Sequence, residues 1–274
     1  MLLATACTFH VGASHNSGGT GAGGGPDLAM TDAPDDMARP APDSGPPPPP
    51  VDMAHPPPPP DMARTCMGPG IIICDDYEDP KLPGYGFGQV GGTLAVDDTH
   101  VHQGKTALHL HQALSAQGSQ VYALKPVTFA LPEIYVRAYV YTEAAMTSTA
   151  TLVRIQESKG RQLSVDLQLS PTAFTVHDGK SGLTIPTSVT IPVGRWFCMQ
   201  WRLRVATDGV GTLAVDPDQK WTSQSGDSTI DPPYDWLVIG LQAGGATMGN
   251  DVWVDELAMS GAPIACDVPA PGGP

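Results

Sequence analysis

From about residue 70 onward, apolar and polar residues alternate one by one along the chain. In the segment IYVRAYVY, residues 134–141, Ile134, Val136, Ala138 and Val140 fall on one side of an extended backbone and Arg137 and three tyrosines on the other. Successive side chains of a β-strand point to opposite faces, so this period of two predicts a strand with one buried face. The 3.6-residue periodicity of amphipathic helices is almost absent.

The same alternation recurs in short segments between turn signals. It is found in LVRIQE (152–157), QLSVDLQLS (162–170) and WFCMQWRLRV (196–205), and turn-forming stretches such as DGKSG and DPDQK lie between strands. Many antiparallel strands, each with one solvated face, pack as two stacked sheets. We therefore predict an all-β fold, a two-sheet antiparallel β-sandwich.

The residues before this domain have a different composition. Fifteen of the 29 prolines lie between Pro26 and Pro69, among degenerate Asp-Met-Ala repeats, after a Gly/Ser-rich stretch. Each proline fixes φ and removes a backbone donor, so this density predicts a disordered or polyproline II spacer. A docking motif for a proline-binding protein is the alternative. We predict a signal remnant at 1–7, a disordered Gly/Pro/Asp-rich linker at 8–65, the sandwich at 66–267 and a disordered tail at 268–274.

The charge balance excludes one class of partner. The formal net charge is −14, and the domain carries 21 acidic against 12 basic residues once the seven aspartates, Arg39 and Arg64 of the linker are set aside. An acidic domain without a Lys/Arg tract does not neutralise phosphates, so we expect no nucleic-acid binding. No apolar run approaches the ~20 residues that span a bilayer.

The first residues resemble the end of a lipoprotein signal. In MLLATACTF, small residues precede Cys7 as in the bacterial lipobox, where the cysteine is lipidated. The cationic region of a signal peptide is missing, so we expect the true start codon to lie further upstream. Thr8 follows Cys7, and the absence of Asp there implies, by the same resemblance, an outer-membrane location. A chance cysteine after a short apolar start is the alternative.

The remaining cysteines suit an exported protein. Cys66, Cys74, Cys198 and Cys266 form an even set without a CxxC pair. An even set of this kind predicts two disulfides, for which three pairings are possible. Free thiols in a reducing compartment are the alternative.

Four motifs in order resemble a known fold family. They are CDDYEDP near the start of the domain, VHQGKTALHLH, GRWFCMQWRLRV and VWVDELAMSG. Together they are similar to the concanavalin A-like lectin/glucanase jelly rolls and related carbohydrate-binding modules, as carried on proline-linked bacterial lipoproteins. The resemblance implies that the first strand pairs with the last and places Glu78 opposite Asp255. That register implies the disulfides Cys66–Cys266 and Cys74–Cys198.

The resemblance also implies a structural calcium site. Glu78 and Asp255 would supply carboxylates, and a backbone carbonyl near Lys105, in the turn Gln103-Gly104-Lys105, would supply a third hard oxygen ligand. The alternative is a pair of solvated carboxylates at strand ends.

Polar residues on the alternating strands predict a glycan-binding face. Planar polar groups match sugar hydroxyl pairs, and arginine pairs with carboxylates, so the arginines point to an anionic glycan. The alternative is an ordinary hydrated sheet face with Arg–Asp pairs across strands. The predicted residues are Arg137, Tyr139, Arg154, Gln156, Asp166, Gln168, Gln200 and Arg202.

Two further chemistries remain as alternatives. The pairs His100/His102 and His109/His111 would suit zinc, although alternation explains the second pair as the solvent-facing partners of two leucines. A polysaccharide lyase of this fold would use a base, a tyrosine and carboxylate-neutralising groups, for which the candidates are His177, Tyr139, Arg137 and Gln156.

The predicted function combines the interpretations of the signal, the linker and the domain. No Glu-x-Asp-x-Glu triplet of a glycoside hydrolase is present. We predict a surface-displayed lipoprotein whose domain binds an extracellular or cell-wall polysaccharide without catalysis, anchored to the membrane only by lipid. A lyase or hydrolase of the same fold, or a purely structural or adhesive domain, is the alternative.

Overall fold

The structure is a computed structural model. It describes residues 70–115, 117–127, 131–157, 164–204, 211–216, 218–223 and 234–266. The predicted lipobox at Cys7, the linker, Cys66 and the tail at 268–274 lie outside these residues. None of the described residues forms a helix that is long and apolar enough to cross a membrane.

Fifteen strands make up the described part of the chain, and every pair of neighbours is antiparallel. They are β1 (Ile71–Asp75), β2 (Gly86–Val90), β3 (Gly92–Asp97), β4 (Ala107–Ser115), β5 (Ser119–Pro126), β6 (Glu133–Thr142), β7 (Ala150–Gln156), β8 (Ser164–Leu169), β9 (Ala173–Asp178), β10 (Leu183–Thr190), β11 (Trp196–Arg204), β12 (Gly211–Val215), β13 (Gln219–Thr222), β14 (Trp236–Ala243) and β15 (Thr247–Ser260). The predicted all-β sandwich is confirmed.

The strands form two stacked sheets. The eight-stranded sheet has the order β13-β12-β11-β6-β15-β4-β3, with β1 also paired to β15, and the seven-stranded sheet has the order β10-β9-β8-β7-β14-β5-β2. The inward residues of both sheets bury one hydrophobic core. Phe174 of β9 and Phe197 of β11 meet across it, with ring centroids 6.2 Å apart. Side-chain alternation therefore leaves each sheet with one outer face.

The first strand pairs with the last, as the resemblance implied. Cys74 lies opposite Ala258 and Asp75 opposite Leu257, one residue away from the expected register. The register of β15 against β6 shifts between Asp255 and Ala258, and Glu256 has a positive φ of 48°. An extra residue of this kind is a β-bulge, which turns side chains away from their regular alternation.

The implied disulfide pairing is wrong. Cys198 is bonded to Cys266, with 5.9 Å between their Cα atoms. Cys74 is also disulfide-bonded, and its partner lies outside the described residues. Cys74 is on β1 and Cys198 on β11, and β15 and β6 lie between these strands. Three strand spacings are about 14 Å, well beyond the ~7 Å Cα separation that a disulfide can bridge.

Candidate functional site

The eight predicted glycan-binding residues do not share one sheet. Arg137 and Tyr139 lie on β6, and Gln200 and Arg202 on β11, in the eight-stranded sheet. The other four lie on β7 and β8 in the seven-stranded sheet. The sandwich therefore places the two halves of the predicted site on opposite outer faces.

The half on the eight-stranded sheet is covered. Arg137 is only 1% exposed, and its guanidinium donates to the backbone carbonyl oxygens of Ala265 and Glu256, each at 3.2 Å. Tyr139 is 3% exposed, and the ring of His102 stacks on it with 3.7 Å between centroids. The expected solvent-facing side of β6 is thus largely buried, and neither side chain is available to a ligand.

The last described residues provide much of this cover. The Cys198–Cys266 disulfide fastens the segment 261–266 across the outer face, and the side-chain amide of Gln200 donates to the carbonyl of Ile264. Arg202 forms an ion pair with Glu133, and the guanidinium lowers the pKa of that carboxyl. A groove of about 960 Å³ remains beside this segment, next to Trp196 and the Arg195–Asp216 ion pair. Three polar residues of its lining, His102, Gln200 and Asp216, are already bonded within the protein.

The half on the seven-stranded sheet is open. Arg154 lies opposite Asp166 and donates to it twice, Nε to Oδ1 and Nη2 to Oδ2, both at 2.7 Å. Asp166 is 1% exposed and Arg154 about a quarter exposed. Burial acts to lower the pKa of Arg154, but the paired carboxylate outweighs it and the pKa is raised. The alternative hypothesis expected Arg–Asp pairs across strands, and this is one. The buried carboxylate holds the arginine in one orientation.

The open groove around this pair has a volume of about 520 Å³. Three adjacent strands line up Arg154, Asp166 and His177 in register across its floor. His177 Nδ1 is 3.0 Å from the hydroxyl of Thr184. The residues that line the groove are Arg154, Gln156, Glu157, Ser164, Asp166, His177 and Gly179.

Gln168 lies on the same outer face, beyond the groove. The hydroxyl of Thr175 donates to its Oε1 at 3.1 Å, and its Nε2 is 3.5 Å from the hydroxyl of Thr151. Gln156 and Gln168 are both partly exposed, and the side-chain amide of Gln156 makes no hydrogen bond to another described residue. The predicted pair of planar amides is thus present on one face.

Sequence reasoning missed the aromatic part of this face. Tyr122 of β5 and Trp236 of β14 project to the same outer side as Arg154 and are partly exposed. Arg154 pairs with Val238 of β14 and Tyr122 with Gly240 two residues further on, so the two side chains lie diagonally across β14 on this face. The alternation in SQVYALKP and WLVIGLQA marked both rings as outward, but not that β5 and β14 lie beside β7.

The predicted calcium ligands meet one short segment. The backbone N–H groups of Lys105 and Thr106 donate to Glu78 Oε1 at 2.6 and 3.2 Å, and those of His102 and Gln103 donate to Asp255 Oδ2 at 3.0 and 3.2 Å. Lys105 thus contacts Glu78 through its backbone N–H, whereas its carbonyl oxygen was expected to be a calcium ligand. Burial raises the pKa of Asp255 to about 7.

A hard cation at this segment would have to share the Glu78 and Asp255 carboxylates with the backbone N–H groups that already donate to them. A Cβ on Gly104, whose φ is 78°, would lie 2.0 Å from Glu78 Oε1, so only glycine lets the segment close around that carboxylate. Oxygen atoms from Glu78, Asp255 and the intervening backbone are the type of ligand that calcium takes. No group of three or more His, Cys, Asp or Glu side chains within the described ranges is arranged to hold a metal, so backbone oxygens would have to complete the shell.

The four histidines belong to a stacked cluster on the eight-stranded sheet. His109 stacks on Trp253 with 4.1 Å between centroids, and its two ring nitrogens contact Asp97 Oδ2 and Asp251 Oδ1 at 2.8 and 2.9 Å. His100 stacks on Tyr141 at 4.1 Å. The two His-x-His pairs are thus engaged with carboxylates and aromatic rings.

Comparison with known proteins identifies a shared fold. No family model and no curated protein matches the chain. Among solved structures, the cellulose-induced protein Cip1 is 18% identical with a TM-score of 0.56, covering 71% of this chain and 99% of that one. An endo-β-1,4-glucuronan lyase from the fungus Trichoderma reesei is 14% identical with a TM-score of 0.54, covering 65% and 92%. At this identity, the likeness shows that the β-sandwich is of the same kind as in these proteins.

Proposed function

We propose that this domain binds a polysaccharide on the outer face of the seven-stranded sheet, without cleaving it. The observation that carries the proposal is the groove on β7, β8 and β9, where Arg154 and Gln156 are partly exposed side by side near the buried Asp166 carboxylate. Planar groups with paired donors or acceptors suit vicinal sugar hydroxyls, and nearby rings suit the apolar sugar face. The names of the two fold neighbours agree with a carbohydrate ligand but support it only by analogy.

The charge of the groove argues for a neutral or sparsely charged glycan. Arg154 is the lone cation in the described lining, and Asp166 already compensates it, while Glu157 adds a further carboxylate. An anionic chain would therefore meet no net positive charge here. The anionic preference expected from the number of arginines rested on Arg137 and Arg202 as well, and these lie on the other sheet.

A glycan array followed by affinity electrophoresis tests the proposal. We expect wild-type protein to be retained by at least one neutral polysaccharide, and Gln156→Ala to weaken that retention severalfold because a planar hydrogen-bonding group is lost. Gln89→Ala is the matched control, since Gln89 is exposed on β2 but not on the outward side that Gly88 shares with Tyr122. Absence of retention on every glycan would refute the proposed function.

A lyase is the second candidate, because His177 shares the groove with Arg154 and Gln156. In β-elimination, Arg154 and Gln156 would bind a uronate carboxylate while His177 Nε2 took the proton at C5. The C4–O glycosidic bond would break as the C4=C5 double bond forms, and the protonated imidazole would return its proton to the leaving oxygen. Tyr139 and Arg137, the other predicted lyase residues, are on the opposite sheet and take no part in this candidate. Ultraviolet absorbance of unsaturated products on alginate, pectin and glucuronan, lost in His177→Ala, would establish the lyase in place of simple binding.

We also propose a lipid anchor and a structural calcium ion. Lipidation at Cys7, followed by the proline-rich spacer, would display the domain at the cell envelope, and two or more acyl chains suffice for stable anchoring. An unmodified Cys7 in the intact mass of membrane-extracted protein would refute the anchor. Calcium would be held by Glu78, Asp255 and backbone oxygens of the segment around Lys105, and would neutralise the two carboxylates there.

A further inference from the structure

Tyr122 leans across a gap that glycine creates. Gly88 of β2 lies directly opposite Tyr122 of β5, with its missing side chain on the same outer face. A Cβ on Gly88 would lie 2.4 Å from ring atoms Cε1 and Cζ and 2.7 Å from the hydroxyl oxygen. The ring therefore lies over the backbone of β2, in the space that any other residue at position 88 would occupy.

The other flanking strand also has a glycine beside Tyr122. Gly240 of β14 pairs with Tyr122, and a Cβ there would lie 2.3 Å from the Val121 carbonyl oxygen and 2.6 Å from the Tyr122 Cβ. Gly240 is buried, so its lack of a Cβ lets β14 and β5 approach closely, whereas the space over Gly88 is filled by the tyrosine ring itself. The glycine at position 88 serves no packing in the core, because Gly88 and Tyr122 both lie on the outer side of the sheet.

A partly exposed aromatic ring that lies over a glycine offers one of its faces for stacking. We propose that Tyr122 is the platform on which a pyranose ring of the bound glycan packs, beside Arg154; this rests on the proposed function. Stacking requires a sugar whose C–H bonds form an apolar face, which packs parallel to the face of an aromatic ring. Chains of β-1,4-linked glucose or xylose, with equatorial substituents and a flat ribbon shape, can lay such a face along the sheet, whereas the axial linkage of α-1,4-linked glucose curves the chain away from it.

Three substitutions test the platform with cellohexaose, xylohexaose and maltohexaose as probes in calorimetry. Tyr122→Ala should weaken binding of the two β-linked probes by roughly three- to tenfold, the range of aromatic stacking. Tyr122→Phe should retain wild-type affinity, because the ring and not the hydroxyl makes the contact. Phe87→Ala is the matched control. Phe87 directly precedes Gly88 on β2 and is 48% exposed but faces the other side of the sheet, so the variant should bind with wild-type affinity.

Gly88→Ala tests whether the position of the Tyr122 ring matters, because it moves the ring without removing it. It leaves Tyr122 intact but forces the ring upright, so binding should weaken as in Tyr122→Ala, with altered ring chemical shifts and unchanged circular dichroism. Unchanged affinity of Tyr122→Ala for a glycan that the wild type binds would overturn this inference alone. A loss in Tyr122→Phe equal to that in Tyr122→Ala, or tighter binding of maltohexaose than of cellohexaose, would also overturn it. No binding of any glycan by the wild type would remove the proposed function itself.

Discussion

Truncation of Arg154 should destabilise the domain through the carboxylate that it leaves behind. Asp166 is 1% exposed and accepts two charge-assisted hydrogen bonds from Arg154, plus one from the Thr151 hydroxyl at 3.3 Å. In Arg154→Ala the longest and weakest of these three bonds is the one that survives. The desolvated charge then lacks compensation, which is the costly part of breaking a buried ion pair.

The magnitude follows from the burial of each partner. Breaking a fully buried pair by removing one partner costs about 3–5 kcal/mol. The Arg154 side chain is 27% exposed, so water can enter where it was, and we expect about 2–3 kcal/mol, or a Tm lower by about 4–12 °C for a domain of this size. Arg154→Ala combined with Asp166→Asn removes the unpaired charge, so the two changes should couple by about 1–2 kcal/mol in a double-mutant cycle.

Urea unfolding followed by tryptophan fluorescence measures these differences. Arg202→Ala is the matched control, because Arg202 and Glu133 are each about a third exposed and their pair should contribute less than about 1 kcal/mol. A loss below about 0.5 kcal/mol in Arg154→Ala, or strict additivity in the double mutant, would show that Asp166 is well hydrated. Asp166 would then not hold Arg154 rigidly in the groove.

Three further outcomes are expected. The double variant Cys198→Ser, Cys266→Ser removes a disulfide that joins residues 68 apart in sequence. The free energy of unfolding should fall by about 4 kcal/mol in the chain-entropy model, and an unchanged urea midpoint would contradict this. In the presence of a chelator, native Asp255 has a pKa of about 7 and holds its proton more tightly than the same group does in the unfolded chain. The folding stability that this proton adds is complete below about pH 4 and is lost as pH rises through 7. The Tm should fall over that range in wild type but less in Asp255→Asn, and a rise would refute the assignment. Calcium at about 100 times its Kd should stabilise by about 2.7 kcal/mol, an effect absent in Glu78→Gln, and equal melting with EDTA and with calcium would exclude the site.

The sequence predicted which side of a strand each residue takes, but not which sheet the strand joins. Ile134, Val136, Ala138 and Val140 are all buried in the core as the alternation indicated. The same alternation made Arg137 outward, and it is outward, yet segment 261–266 covers it. Alternation is a property of a single strand, whereas cover depends on where a distant segment returns.

The strand order, and with it the disulfides and the site, was decided only in three dimensions. The first-to-last strand pairing came from the resemblance and is correct to one residue, whereas linking Cys74 to Cys198 required them to be neighbours, and two strands separate them.

The chain's own pattern therefore determined an all-β sandwich, because a period of two can bury only one side of extended backbone. The tertiary structure decided that Tyr122 lies between Gly88 and Gly240 and near Arg154. Those residues come from four strands, and only cross-strand register brings them together.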